Sequence, residues 1–280
     1  MRAKMIHTMI EEGERNPYRL IKRLENYERL YFPYKREDGS MYWTKKKRSG
    51  ETIPGQTPAF RNFSFRGNII PLPYHTTANL HRFLLDFIAA TGPYDCIIEL
   101  GCGYGRNIFE LWYEGGPAEA PYFGGEFTRS GVELARELAA LEPSLNATFF
   151  PFDHTAPDFS SVPYTRRALV FTMHSLEQVR LISTSWFQKT ASVAADVTCV
   201  HLEPFGFQLQ DLGASTQLHR QCAAKRGWNQ NFVQTVLAAR DAGIITPQYL
   251  GTELFISEPE NPTSLAVWRA TDASKQEPNH

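Results

Sequence analysis

The chain has 280 residues, 42% hydrophobic and 21% charged, a composition that fits an ordinary globular protein and excludes a mainly disordered one. Its 29 basic and 30 acidic side chains leave a formal net charge of -1, so no global field draws it to nucleic acid or to an anionic membrane. Residues 1–20 mix charges and lack the apolar run of a secretory leader, and no stretch reaches the length of a membrane span, so a cytoplasmic protein is expected. Cys96, Cys102, Cys199 and Cys222 are scattered without paired spacing, which predicts reduced thiols and neither a zinc site nor a disulfide framework.

In chain order, residues 1–75 read as an N-terminal cap. A helix is predicted around Pro17 to Tyr31. After it come aromatics, basic residues and turn formers of weak periodicity, including Lys45-Lys46-Lys47-Arg48-Ser49-Gly50 and the breaks at Pro54, Pro58, Pro71 and Pro73. From Thr76 to residue 270 helical and strand-like segments alternate, the pattern of a parallel sheet with crossover helices. Leu80, Phe83, Leu84, Phe87 and Ile88 mark a helix that Gly92-Pro93 stops. Strands are predicted at Asp95–Leu100, Tyr122–Glu126, Ala147–Phe152, Ala168–Thr172 and Val197–Leu202. Helices are predicted at Asn107–Tyr113, Ser130–Leu141, Leu176–Ser192 and Asn231–Ala242. Ile245–Ser257 and Ser264–Arg269, joined by the turn Glu258-Pro259-Glu260-Asn261-Pro262, read as a hairpin that would place a reversed strand in the sheet. Residues 271–280 are a polar tail.

The first predicted strand ends in Glu99, followed by Gly101, Cys102, Gly103, Tyr104 and Gly105 and then a helix. Such a turn lets a ligand approach the backbone. Arg106 leaves the glycine spacing one residue short of the dinucleotide form, which disfavours a pyrophosphate ligand. Glu126 ends the next strand, about 20 residues downstream, where a carboxylate can accept both hydrogen bonds of a ribose diol. Together Glu99 and Glu126 favour a cationic ligand. Asp153, at the end of the third strand, can accept from the exocyclic amine of adenine, with Phe152, His154 or Phe127 flanking the ring.

Cys96 to Asn107, Tyr122 to Ala139, Phe150 to Asp153, Val170 to Val179 and Asn261 to Trp268, taken as a set, resemble the class I S-adenosylmethionine-dependent methyltransferases. The resemblance covers roughly residues 76 to 270. It implies an α/β Rossmann-like fold with a seven-stranded, mostly parallel sheet whose last strand is antiparallel. It implies S-adenosylmethionine as cofactor and S-adenosylhomocysteine as product. It also implies that Glu99, Gly101 and Gly103 surround the methionine moiety, Glu126 the ribose and Asp153 the adenine, while Thr172 to His174 face the acceptor. The expected cofactor set is Glu99, Gly101, Cys102, Gly103, Gly105, Asn107, Glu126, Phe127, Asp153, His154, Thr172 and Met173. Gln178 departs from the family, where a histidine is common, and no catalytic role is carried over to it.

Methyl transfer from a sulfonium is an in-line displacement that asks the protein to align the nucleophile and, for a hydroxyl, to take its proton. His174 is the first candidate base because its ordinary pKa lies near neutrality; the alternative is that it only packs against the cofactor. Glu203 is the second candidate, or else a substrate-positioning acid, and Glu177 reads as a helix-start residue. Thr172-Met173-His174-Ser175 replaces the Asn/Asp-Pro-Pro-aromatic turn of base amino-methylating enzymes, which disfavours that chemistry. The cap and the insert Phe205 to Trp228 should roof an acceptor pocket, with Tyr74, His75, His219, Trp228 and Asn229 as substrate contacts suited to a saccharide. The expected activity is O-methylation of a small polar acceptor. The alternatives are an RNA-associated protein using Lys45–Arg48 with Tyr42 and Trp43, or an inactive cofactor-binding scaffold.

Overall fold

The computed structural model describes residues 2–17, 19–21, 31–35, 41–45, 61–72, 80–211 and 213–271. The first described element is a helix, α1 (Arg2–Glu11), in a stretch whose mixed charges give no clear apolar stripe. It carries Ile6 and Met9 into the main core, beside Leu20 and Ile21. Most of the helix predicted from Pro17 lies outside the described residues, and Tyr31 opens a strand. Two antiparallel hairpins follow, β1 (Tyr31–Lys35) with β2 (Met41–Lys45) and β3 (Arg61–Phe65) with β4 (Asn68–Leu72). The second closes through Arg66 and Gly67 at φ 48° and 78°, two consecutive left-handed residues that match the twist of a tight hairpin.

The remainder is a doubly wound sheet. Its helices are α2 (Leu80–Thr91), which leads into the sheet, and the crossovers α3 (Arg106–Tyr113), α4 (Arg129–Ala140), α5 (Thr184–Ala191) and α8 (Phe232–Asp241). Its strands are β5 (Cys96–Leu100), β6 (Tyr122–Glu126), β7 (Ala147–Pro151), β8 (Thr165–Met173), β9 (Ala194–Glu203), β10 (Thr246–Gly251) and β11 (Ser264–Thr271). The spatial order is β10-β11-β9-β8-β5-β6-β7. All neighbours run parallel except β11, which is antiparallel to both β9 and β10. This is the seven-stranded Rossmann-like arrangement expected from the sequence, with its reversed last strand. The order reverses between β5 and β8, so the crevice beyond their C-terminal ends is where such sheets bind ligands.

Strand alternation divides the core into two layers. Ile97, Leu169, Phe171, Val200, Leu202, Leu265 and Val267 face α1 to α4. Ile98, Leu100, Val170, Cys199, Ala266 and Trp268 face α5 and α8, where Trp186, Phe187, Phe232 and Val236 meet them. Burying each such side chain contributes about 1.5–3 kcal/mol, enough to fix the strand faces. The helix predicted over Leu176–Ser192 is divided: a 3-10 turn at Leu176–Gln178 and α5 from Thr184 are separated by a bend whose polar groups are taken up by Asn229 and Asn231.

After β9 come α6 (Gly206–Leu209) and α7 (Ala214–Arg226). The buried carboxylate of Glu253, a residue itself at φ 47°, joins several distant pieces. Its Oε2 accepts from Ser64 Oγ at 2.6 Å and Gly67 N at 2.8 Å, and the Ser215 hydroxyl of α7 lies 3.3 Å from both of its oxygens. The β3–β4 hairpin is thereby seated on the loop between β10 and β11.

Candidate active site

The glycine turn after β5 is locked onto β6, because Gly101 N and Cys102 N both donate to the Gly125 carbonyl, at 2.7 and 3.0 Å. Gly101, Gly103 and Gly105 have φ of 83°, 58° and 82°, where an L side chain is strained. Two of them are also demanded by packing. A Cβ on Gly101 would stand 2.2 Å from Ser175 Cβ, and one on Gly105 would stand 2.8 Å from the Phe149 ring. Gly103 differs, since a Cβ there meets nothing within 4 Å. It is the glycine whose missing side chain leaves room at the surface of the turn. Cys102 does not belong with it: the thiol is buried, close under Gly124, and burial raises its pKa well above the ordinary value. The Cys102 side chain packs under the turn, so only its backbone faces the ligand side.

Glu126 spans the mouth of the turn. Its Oε2 accepts from Gly103 N at 3.0 Å, and its Oε1 accepts from Thr128 N and Oγ1 at 2.9 and 2.6 Å. The carboxylate is therefore held rigidly beside the open glycine. The next residue, Phe127, is 72% exposed, a large ring with almost nothing over it. Asp153 lies at the end of the adjacent strand, with Oδ1 fixed by Thr155 N and Oγ1, both at 2.7 Å. His154 points the other way, into the core: Trp186 Nε1 donates to its Nδ1 at 3.2 Å, and burial pushes its pKa down to about 4. His154 Nε2 is buried without a partner among the described residues, 3.3 Å from where a Cβ on Gly101 would stand, while Phe127 alone offers an exposed ring.

Glu99 is fully buried at the end of β5. Asn107 Nδ2 donates to its Oε1 at 2.5 Å, while Oε2 is buried with no hydrogen-bond partner among the described residues. Burial raises its pKa to about 7 against the opposing effects of Asn107, His81 and Arg106, with Glu126 adding to the rise. Asn107 is held in turn, its Oδ1 lying 2.8 Å from His81 Nε2, and His81 Nδ1 lies 2.7 Å from the buried Glu110 Oε2. His81 and Glu110 were not legible as site residues, because one lies on the preceding helix and the other on the following one.

On the far side of the switch point, His174 follows β8 at φ 50°, a left-handed conformation that is costly for a residue with a Cβ. Its Nδ1 lies 3.1 Å from Glu177 Oε2 and its Nε2 lies 2.8 Å from Thr263 Oγ1. Its side chain is 28% exposed, so a ligand can reach it. Burial works to lower its pKa, but the hydrogen bond and charge of Glu177, with the charge of Glu203, raise it overall. Glu177, read from sequence as a helix-start residue, is the orienting partner of His174. The one available signal was their three-residue spacing.

The strained turn is held by Glu203. Its Oε1 accepts from Ser175 N at 3.0 Å and Leu176 N at 3.1 Å, and its Oε2 accepts from Glu177 N at 3.2 Å. Burial and the neighbouring Glu177 raise its pKa, opposed by His174 and these backbone bonds. With both oxygens committed to backbone N–H groups, Glu203 is corrected from candidate base to anchor of the turn. Thr172 is corrected too. It is fully buried, its Oγ1 lies 2.9 Å from His201 Nδ1, and Trp268 Nε1 donates to His201 Nε2 at 2.9 Å, a polar ladder across three strands inside the core. Met173 is half-buried, against the first layer.

Of the predicted substrate contacts, His219, Trp228 and Asn229 lie among the described residues, around Phe207 and Gln208. Asn229 spends its amide within the protein, with Nδ2 donating to Val179 O and Oδ1 accepting from Asn231 N and Phe232 N. Trp228 packs in a small cluster with Phe207 and Ala223, with the Arg226 guanidinium 4.7 Å from its ring centre. His219 is fully buried edge-on to Phe207, and burial lowers its pKa to about 4. Both ring nitrogens of His219 are buried without a hydrogen-bond partner among the described residues. Tyr74, His75 and Lys46 to Arg48 lie outside the described residues, as do the side chains of Tyr42, Trp43 and Lys45. No cluster that could hold a metal ion occurs among the described residues, and no described helix is long and apolar enough to cross a membrane.

The fold and site define a doubly wound α/β protein with a glycine turn, two carboxylates and an exposed aromatic ring at the C-terminal edge of its sheet. No family model and no curated protein matches the chain. Solved structures similar to it include magnesium protoporphyrin IX methyltransferase from Synechocystis PCC 6803 with bound SAH, at 14% identity and a TM-score of 0.47 over 69% of this chain and 82% of that one. The CcbJ methyltransferase from Streptomyces caelestis is 17% identical, with a TM-score of 0.46 over 69% and 90% of the two chains. Geranyl diphosphate C-methyltransferase from Streptomyces coelicolor A3(2), in complex with Mg2+, geranyl diphosphate and S-adenosyl-L-homocysteine, is 14% identical, with a TM-score of 0.46 over 69% and 78%.

Proposed function

We propose that the chain is an S-adenosylmethionine-dependent methyltransferase that methylates a hydroxyl on a small polar acceptor. The observation that carries the reading is the pairing at Gly103 of an open glycine with the Glu126 carboxylate bonded to its N–H, followed in the chain by the exposed Phe127. Glu126 suits a ribose diol, Phe127 an adenine face and Asp153 its amine, while the unpartnered Glu99 Oε2 suits a cationic donor group. When bound, the donor supplies a methyl group on a sulfonium.

The rest of the work falls to residues at the other side of the switch point. His174, reachable from solvent and oriented through Nδ1 by Glu177, accepts the proton of the acceptor hydroxyl at Nε2, where that hydroxyl takes the place of Thr263 Oγ1. Glu203 holds the turn that presents it. Because the pKa of His174 is raised, its base form grows as pH rises, so kcat/KM should climb through a pKa above the ordinary 6.5. The acceptor class is a small hydroxylated molecule; Asn229 and Trp228, engaged within the protein, add no support for a saccharide in particular.

The test is labelled-methyl transfer from S-adenosylmethionine into fractionated small-molecule, RNA and protein pools, alongside binding calorimetry. Label should enter a small-molecule fraction. His174→Ala should lower turnover by roughly 10²–10⁴, and Glu177→Gln should shift the ascending pH limb downward. Binding of the donor without transfer to any pool would favour the inactive scaffold, and absence of binding would end the proposal.

A further inference from the structure

Two buried residues outside the glycine turn are tied to it by an unbroken run of hydrogen bonds. Glu110 Oε2 lies 2.7 Å from His81 Nδ1, His81 Nε2 lies 2.8 Å from Asn107 Oδ1, and Asn107 Nδ2 donates to Glu99 Oε1 at 2.5 Å. The chemistry of each link fixes the direction of the next. Facing a carboxylate, the Asn107 amide must present its nitrogen to Glu99 and its oxygen to His81. His81 Nε2 must therefore carry a hydrogen. Nδ1, facing Glu110, carries one as well when that carboxylate is ionised, so the pair holds an imidazolium.

The groups facing this run can be named from every side. Arg106 of α3 lies 3.4 Å from Glu110 Oε1 and acts on both His81 and Glu99. Glu126 of β6 adds to the rise of Glu99, and the buried Cys102 thiol of the glycine turn lies within the reach of the Glu99 charge. Burial works against the His81 charge, yet Glu110 and Asn107 raise its pKa overall. The far end of the run is Glu99 Oε2, buried and with no partner among the described residues.

We propose that His81 and Glu110 are positioning residues that, through Asn107, orient the Glu99 carboxylate and favour its ionised form as acceptor for the cationic methionyl end of the donor, so that donor binding is coupled to proton release from Glu99. This rests on the donor assignment above. The proton balance is simple: the protonated share of Glu99 in the free protein loses its proton to solvent when a cation takes its place. No other bond forms or breaks. With Glu99 near 7 in the free protein, the release is large below neutrality and fades above it.

Calorimetry with S-adenosylmethionine in pairs of buffers of different ionisation enthalpy, from acidic to mildly alkaline pH, measures that release directly. Wild type should release a fraction of a proton that shrinks through about pH 7. His81→Gln removes the cation that helps Glu99 ionise, and Glu110→Gln removes the anion that keeps His81 charged. Each should move the release profile to higher pH and weaken binding at neutral pH by roughly three- to tenfold, with the loss recovered in alkaline buffer. Glu110→Gln conserves shape and guards against a folding failure in the first variant, with thermal melting checked for both. A loss of affinity equal at every pH, or an unshifted profile in both variants, would overturn the proposal. If wild type binds no S-adenosylmethionine at all, it is the donor assignment that fails.

Discussion

Replacing Glu203 separates an anchoring role from a catalytic one. Its carboxylate accepts from three consecutive backbone N–H groups, those of Ser175, Leu176 and Glu177, inside the protein. Hydrogen bonds to a charged acceptor contribute about 1.5–3 kcal/mol each, and stranding buried donors adds a desolvation cost. Because the bonds share one carboxylate and one turn they do not add in full, and Glu203→Ala should cost about 3–5 kcal/mol. Glu203→Gln keeps an oxygen for Ser175 and Leu176 but turns an NH2 toward Glu177 N, two donors face to face, and should cost about 1.5–3 kcal/mol. Urea denaturation at neutral pH, followed by far-ultraviolet circular dichroism, measures both. Turnover should fall with stability, because the turn that presents His174 loosens. An Ala variant that loses turnover while losing less than about 1 kcal/mol of stability would refute the anchoring argument and restore Glu203 as a base.

Three further outcomes follow from the same geometry. Gly101→Ala should cost about 3 kcal/mol or more, because its Cβ meets Ser175, whereas Gly103→Ala should cost about 1–2 kcal/mol and chiefly abolish donor binding; the opposite ranking in melting experiments would contradict the open-turn reading. Phe127→Ala should leave stability within about 0.5 kcal/mol and weaken donor binding by about 1 kcal/mol or more, and calorimetry showing unchanged affinity would remove it from the site. Acid should destabilise the fold. His154, His201 and His219 have folded pKa values of about 4, 3 and 4 against 6.5 unfolded, so their neutral-state stability is present above 6.5 and is lost as pH falls. Between pH 7 and 5 that is about 2 kcal/mol each, while Glu99, raised to about 7 from 4.5, returns about 2 kcal/mol over the same range. His81 and His174 shift the opposite way and soften the loss, leaving a net fall of at most about 3–4 kcal/mol, read from urea midpoints.

The central sheet was legible because its signals are local. Cys96–Leu100 and Tyr122–Glu126 are short apolar runs bounded by turn residues, and the reversed β11 was announced by the Pro259 and Pro262 turn between two strand-like runs. The helix α7 was not, since its buried face carries Ser215, Thr216 and His219, which give no apolar stripe. The division at Val179–Ser183 depends on Asn229 and Asn231, about 50 residues away, and no local pattern encodes it. The same holds at the site. Glycines and strand-end acids carry their meaning in their spacing, so the Glu99 and Glu126 ends of the crevice could be read directly. The use of Glu203 by the backbone, the inward turn of His154 and the reach of His81 to Asn107 all arise from packing between elements distant in the chain.

Ser64 and Gly67 find their acceptor in Glu253, 189 and 186 residues further on. During synthesis at about 5–20 residues per second, the β3–β4 hairpin therefore waits about 10–40 s, after it leaves the ribosome, for the carboxylate that seats it. Through that interval Phe63 and Ser64, buried in the finished fold, lack the loop that covers them. The loop between β10 and β11 thus completes the seating of a hairpin made long before it.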